Sequence, residues 1–174
     1  MENQIVEVKE NNISLTSQSM LTVAEELSKF IKEKKLSSNI QGKEYVNVEG
    51  WQFSGARLGI LPMVNEPIKL QGQQGEIKYS CSVNLYLGEK KVGYGYALCS
   101  NLEPNKRGFA EYAIASMAQT RAVGKAYRNL LAWIIKAAGF EPTPAEEMDE
   151  VVVSPTPPIE KIKEHFKEAK VIEE

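Results

Sequence analysis

Residues 77–98 read IKYSCSVNLYLGEKKVGYGYAL, and this stretch decides the fold class. From Ile77 to Leu87 apolar and polar residues alternate, which is the period of a β-strand with one buried and one exposed face. Gly88-Glu89 is typical of a turn. Large and small residues alternate again from Val92 to Leu98, and Tyr94 is expected in the core. The stretch predicts an antiparallel hairpin packed on one side only.

A long helix is predicted from Phe109 to Ala138, closed by Gly139 as its C-cap and by Pro142. At 1.5 Å per residue it would be about 45 Å long. Placed at 100° steps, the apolar residues share one face that we expect to pack on the sheet. That face contains Val123, Ala126, Tyr127, Leu130, Trp133, Ile134 and Ala137.

The segment before the hairpin predicts shorter elements. In chain order they are a helix from Met20 to Lys35, a loop from Ser37 to Gly42, a strand from Lys43 to Glu49, a helix from Trp51 to Leu61 closed by Pro62, and a strand from Met63 to Leu70 with Pro67 at an edge or bulge. Trp51 is expected in the core.

The elements predict an α+β fold in which an antiparallel sheet packs against one long helix, with a further helix at the N-terminus. Residues 1–18 are expected to form a flexible arm and residues 19–140 the folded domain. Residues 141–174 are expected to form a disordered, Pro-rich acidic tail, because residues 141–158 hold five of the eight prolines. A short amphipathic helix is predicted at 159–170.

The net charge of −2 conceals an asymmetry along the chain. Residues 1–140 carry 17 Lys and Arg against 13 Glu, whereas residues 141–174 carry 4 Lys against 10 Asp and Glu. A basic body suggests a polyanionic partner. The acidic tail is similar in composition to tails that recruit partner proteins or shield a basic groove.

Several function classes lack the residues that they need. The only His is His165 and the only Asp is Asp149, so residues 1–140 offer neither residue for a catalytic triad or a metal site. No phosphate-binding GK[ST] loop is present. Cys81 and Cys99 lack zinc-site spacing and are expected to be buried thiols in a reducing cytoplasm. We therefore expect a cytoplasmic protein that is not an enzyme and needs no cofactor.

No apolar run approaches the ~20 residues of a membrane span, so no membrane contact is expected. The first residues, MENQIVEVKE, do not resemble a secretion signal.

Four cations of the long helix fall on the face opposite the apolar one: Arg121, Lys125, Arg128 and Lys136. Only one acidic residue, Glu111, lies between residues 104 and 136. A row of cations of this kind can follow a phosphate backbone, whereas an ordinary solvated face usually has mixed signs. Lys106 and Arg107, just before the helix, are candidates for further phosphate contacts. Tyr86, on the polar face of its strand, is a candidate for stacking on a base.

Three local sequences in this order resemble the Rad-fifty-two family of single-strand annealing proteins and its phage relatives. They are YVNVEGW at 45–51, VNLYLGEKKVGYGY at 83–96 and TRAVGKAYRNLLAW at 120–133. The resemblance spans about residues 37–140. It implies a β-β-β-α core that assembles into rings or arcs, with single-stranded DNA in a positive groove and its bases exposed for pairing.

Carried over by position, Arg128 matches a DNA-contacting lysine of the family's helix, and Lys125 and Arg121 lie one and two turns earlier. Asn129 stands where the family often has a second basic residue. Ser38-Asn39 stands where the family often has a basic residue before its first strand, and Lys43 is a candidate to substitute for that contact. The resemblance thus implies single-stranded DNA binding without ATP, by a homo-oligomer that anneals complementary strands in recombination or repair.

Three alternatives stay open from the sequence. The first is a protein that binds single strands without annealing them. The second is a binder of double-stranded RNA, although the extra helix at residues 51–61 argues against it. The third is an adaptor whose basic ridge meets an acidic protein.

Overall fold

The computed structural model describes residues 17–148, with side chains from Leu21 onward. The helices are α1 (Ser17–Glu33), α2 (Val48–Arg57) and α3 (Glu111–Ala137), and a 3-10 turn spans Ala145–Glu147. The strands are β1 (Ser37–Ile40), β2 (Lys43–Val46), β3 (Ile60–Val64), β4 (Ile68–Leu70), β5 (Lys78–Leu87) and β6 (Lys90–Ser100). The predicted α+β class, with one long helix on an antiparallel sheet, is confirmed. Most of the predicted arm, residues 149–174 and the helix predicted at 159–170 lie outside the described residues.

The central strand of the main sheet is β5. It pairs along one edge with β3 and then β4, and along the other edge with β6, all antiparallel. Its inner face, with Cys81, Val83 and Leu85, is buried beneath α3. Strands β1 and β2 form a separate hairpin. The hairpin predicted for residues 77–98 is therefore present and packed on one side.

The side of β6 that faces the core differs from the prediction. Gly95 and Ala97 face α3, whereas Tyr94 and Tyr96 point away from it with 48% and 59% of their surface exposed. The reason is steric, because a Cβ on Gly95 would lie 2.4 Å from the backbone nitrogen of Ala126. The small residues therefore mark where the helix touches the strand, and the large ones are displaced outward.

The buried side of α3 also differs from the prediction, because it changes along the helix. The first half buries Ile114, Ala118 and Ala122, and the second half buries a different side that includes Tyr127 and Leu131, with the Tyr127 ring against Gly55 of α2. A single straight apolar face therefore does not account for the buried residues of both halves of the helix. Of the seven residues predicted to line that face, Trp133 is 47% exposed, Ala137 is exposed and Leu130 is half-buried.

The region before β5 departs from the prediction at three points. Residues 37–40 form β1 where a loop was expected. Helix α2 begins at Val48, before Gly50, whose missing side chain leaves room for Val46. Pro62 lies inside β3, where it was expected to close a helix. Local propensity alone assigns these residues wrongly because their conformation depends on distant partners.

Residues 139–148 continue the folded unit beyond the boundary expected at 140. The Glu141 N–H donates to the Glu44 carbonyl over 2.8 Å, and the Val48 N–H donates to the Glu146 carboxylate over 2.8 Å. Pro144 is fully buried and lies over Gly124. This acidic segment is therefore held against α3 and the start of α2.

Three side chains of helix α3 bond to backbone carbonyls at the margins of the main sheet, one on β3 and two on β6. At the β3 edge, the Tyr127 hydroxyl donates to the Ile60 carbonyl over 3.2 Å, and Pro62 has no N–H to offer. At the β6 edge, Arg121 donates to the Leu98 carbonyl over 3.0 Å and Asn129 to the Tyr94 carbonyl over 3.1 Å. These side chains occupy carbonyls that would otherwise be open to another strand.

Between residues 17 and 148, no helix combines the length and the apolar character that crossing a bilayer requires.

Candidate nucleic-acid interface

Arg121 does not lie on the exposed ridge where the sequence places it. The residue is 8% exposed, and its Nη1 lies 2.9 Å from the Glu103 carboxylate in addition to its bond to the Leu98 carbonyl. It sits at the margin of the sheet contact, where Ile114 and Ala118 pack, and its acidic partner comes from the loop after β6. Its guanidinium is therefore committed to holding the edge of the sheet.

Of the last two cations of the predicted ridge, Arg128 is half-buried and Lys136 is exposed, and each has an acidic partner. Arg128 lies 2.8 Å from Glu147 and Lys136 lies 3.3 Å from Glu141. Both carboxylates belong to the segment that follows α3, so a search for acidic partners along the helix itself cannot find them. Lys125 is half-buried, and no described carboxylate lies within ion-pair distance of it.

The remaining predicted residues are scattered. Lys106 is buried, with its Nζ 5.8 Å from the centre of the Phe109 ring, while Arg107 is exposed. Lys43 is exposed at the start of β2. It lies near the end of α3, since the carbonyl of its neighbour Glu44 accepts a hydrogen bond from the N–H of Glu141, shortly after that helix. Tyr86 is half-buried on the side of the sheet away from α3.

The bond from Asn129 to the Tyr94 carbonyl joins the cations of α3 to the aromatic residues of β6. Eight helical residues separate Arg121 from Asn129, a rise of about 12 Å, and four strand residues separate their acceptors Leu98 and Tyr94, about 13 Å. The side chains along this side of α3 and the residues of β6 therefore advance by nearly the same distance. This alignment places Lys125 at the level of Tyr96.

One continuous surface results, which we call the helix–edge surface. It consists of Lys91 and Tyr94 on β6 with Lys125, Arg128, Asn129, Trp133 and Lys136 on α3. The Lys91 Nζ lies 5.2 Å from the centre of the Tyr94 ring. Cations beside exposed aromatic rings are the combination that single-stranded nucleic acid requires, for its phosphates and its bases respectively.

Sequence reasoning missed Trp133 and Asn129 as members of this surface. Trp133 was assigned to the core because it is large and apolar, although it follows Asn129 by one helical turn on the edge side. The available signal was the four-residue spacing from Lys125 through Asn129 to Trp133, which puts the three along one side of a helix.

The resolved pKa shifts lie outside this surface. Hydrogen bonds from Lys69 and Tyr79 lower the pKa of the Glu111 carboxyl at the start of α3. Burial raises the pKa of the Cys81 and Cys99 thiols and raises that of Tyr127 to about 12. These shifts keep buried groups neutral and hydrogen-bonded carboxylates charged. Within residues 17–148 no group of three or more His, Cys, Asp or Glu is arranged to hold a metal ion.

Comparison with protein-family models, with curated proteins and with solved structures finds no match to this chain.

Proposed function

We propose that this chain binds single-stranded DNA without catalysing a reaction, and that it promotes annealing of complementary strands. The observation that carries the proposal is the Asn129–Tyr94 hydrogen bond, because it makes the cations of α3 and the aromatic side of β6 one surface. The sequence resemblance to single-strand annealing proteins supports the same function.

In this proposal Lys91, Lys125 and Lys136 contact phosphates, and Trp133 offers a ring on which a base can stack. Cations that neutralise one strand reduce its repulsion of a second strand, which favours pairing. The side chain of Arg121 is excluded from the DNA contact because it holds the sheet edge. Relative to the ridge expected from the sequence, the contact shifts toward β6.

Two cations of the helix–edge surface, Arg128 and Lys136, already form ion pairs with acidic side chains, and these pairs compete with phosphate binding. A phosphate must displace Glu147 from Arg128 and Glu141 from Lys136, whereas Lys125 has no such competitor among the described residues. Lys125 is therefore proposed as the strongest single phosphate contact. The free, buried thiols of Cys81 and Cys99 fit the cytoplasmic location that we propose.

The proposal is tested by fluorescence anisotropy of a labelled single-stranded oligonucleotide at two salt concentrations. Lys125→Gln together with Lys136→Gln should weaken binding at least about tenfold and reduce the salt slope by about 2. Lys29→Gln is the matched control, since Lys29 is an exposed lysine on α1. Absence of salt-sensitive binding by the folded wild-type protein would refute the proposal.

Annealing is measured separately with two complementary labelled strands. Faster pairing in the presence of the protein, lost in the Lys125→Gln, Lys136→Gln variant, is the expected result. Binding of single-stranded DNA without faster pairing of the complementary strands would contradict annealing and indicate a protein that only binds single strands.

A further inference from the structure

A pocket of about 180 Å³ opens on the side of the main sheet that faces away from α3. Ser80 and Ser82 of β5 form its floor, and Ile68 of β4 and Tyr96 of β6 stand on either side of that floor. Glu66, from the connection between β3 and β4, completes the lining. We call this site the bulge pocket.

The pocket lies where the strand pairing is interrupted. Val64 pairs with Val83 and Ile68 pairs with Ser80, so the three residues 65–67 stand opposite only two residues of β5. One extra residue on one strand is the mark of a β-bulge, which bends the strand and re-aims a side chain.

The bulge is held in place by its first residue. The backbone N–H of Asn65 donates to the Ser82 carbonyl over 2.9 Å, and its side-chain amide donates to the Ser82 hydroxyl over 2.8 Å. Pro67 has no N–H to continue the ladder, which suits it to this position. The carboxylate of Glu66 is thereby set beside side chains that are uncharged.

This carboxylate has no cationic partner among the side chains that the structure describes. Its neighbours in the pocket are the exposed side chains of Ile68 and Tyr96. A carboxylate and the face of an aromatic ring both attract positive charge, and both repel phosphate. The Lys91 ammonium, 5.2 Å from the centre of the Tyr94 ring, is a cation already held by a tyrosine of β6.

We propose that the bulge pocket binds an arginine side chain of a partner protein. Strands β4 and β6 flank β5 at a separation of about 10 Å, which admits a planar guanidinium lying on the Tyr96 ring. The paired N–H groups of the guanidinium then meet the Glu66 carboxylate, a fork geometry that a lysine ammonium lacks. The volume lies below the ~300 Å³ at which small-molecule sites begin, so the pocket fits the end of one side chain.

A second pocket indicates what flanks the arginine in the partner. It measures about 290 Å³, lies on the same side of the sheet, and is lined by Leu61, Met63 and Tyr86 among others. Tyr86 follows Ser82 by four residues, or about 13 Å. In an extended peptide lying along β5, side chains four residues apart point the same way at that same separation. We therefore expect a large apolar residue four positions from the arginine.

This binding is independent of the proposed DNA contact. The cations offered to phosphates lie on α3 and at Lys91, whereas the bulge pocket offers a carboxylate. Tyr94 lies between the two, as a member of the helix–edge surface that also lines the pocket on that side.

The test uses a labelled peptide of sequence Leu-Ser-Ala-Ser-Arg-Ser-Ala-Ser-Leu, which has a leucine four positions from the arginine in both directions. Its binding to the full chain is measured by fluorescence anisotropy. A matched peptide carries citrulline, which keeps the shape of arginine without its charge. We expect saturable binding of the arginine peptide and at least about tenfold weaker binding of the citrulline peptide.

Variants of the pocket assign the contact. Glu66→Gln should weaken binding of the arginine peptide at least about tenfold and remove most of its advantage over the citrulline peptide. Tyr96→Leu, which removes the ring, should weaken it about threefold to tenfold. Glu25→Gln is the matched control, since Glu25 is an exposed glutamate on α1, and it should change nothing. Circular dichroism verifies that each variant is folded.

Three results would overturn the inference: no saturable binding of the arginine peptide at millimolar concentration, equal affinity for the two peptides, or unchanged affinity in a folded Glu66→Gln variant. Weaker binding of single-stranded DNA by Glu66→Gln, without binding of the peptide, would assign the pocket to a nucleic-acid base and would likewise overturn it. A chain that binds the arginine peptide but not DNA would contradict the proposed function and leave this inference standing.

Discussion

Arg121 Nη1 and Glu103 Oε2 lie 2.9 Å apart with 9% and 22% of their side chains exposed, and the same guanidinium donates to the Leu98 carbonyl. A charge removed from water to this degree is tolerated only while it is paired. The pair therefore ties the loop after β6 to both α3 and the sheet edge, and a sequence-based groove that includes Arg121 mistakes a structural residue for a ligand contact.

Arg121→Gln should lower the free energy of unfolding by about 3 kcal/mol, because it leaves Glu103 without its partner in a poorly hydrated position. Urea denaturation measures the change. Arg57→Gln is the control, since its ion pair with Glu26 is half-exposed and should contribute less than about 1 kcal/mol. Equal losses for the two variants would contradict the structural role of Arg121.

Gly95→Ala should destabilise the fold by about 3 kcal/mol or prevent folding, because its methyl group would meet the backbone of Ala126, which cannot move alone. Gly93→Ala on the same strand is the control. There the nearest atom belongs to the flexible Leu85 side chain at 3.1 Å, so the loss should be smaller. Thermal melting of both variants checks the order, and a more stable Gly95→Ala than Gly93→Ala would be inconsistent with the helix contact.

Trp133 should report DNA binding by its fluorescence. The chain has two tryptophans, and Trp51 is fully buried with its Nε1 bonded to the Val46 carbonyl. Stacking of a base on the exposed Trp133 ring should quench emission, and Trp133→Phe should abolish the quenching while Trp51 emission remains. Quenching that persists in Trp133→Phe would place the DNA elsewhere.

Both thiols should be unreactive in the native protein. Burial raises the pKa of Cys81 and of Cys99, and the thiolate is the reactive form. At neutral pH we expect negligible reaction with a disulfide reagent until urea unfolds the chain, when both cysteines react. Rapid titration of one equivalent in the folded protein would show that one of the two sites is open.

The sequence predicts the hairpin and the long helix because the apolar residues of each segment recur at a regular spacing, two residues in the strands and three to four in the helix. It does not predict which side of β6 is buried, since that depends on how closely α3 approaches Gly95. The sequence also does not predict that Arg128 pairs with Glu147 and Lys136 with Glu141. Both glutamates return to α3 only after the chain has turned at Gly139. Strand β1 was missed because four polar-rich residues acquire their conformation from β2.

The bonds from α3 to the margins of β3 and β6 have a consequence for the newly made chain. All strands of the main sheet precede α3, and the residues that make these bonds, from Arg121 to Asn129, are synthesised after them. A nascent or prematurely ended chain that stops before Arg121 carries these strands with the carbonyls of Ile60, Tyr94 and Leu98 unbonded by α3, which favours pairing with neighbouring chains and aggregation. Timely emergence of one helix from the ribosome thus protects the margins of β3 and β6.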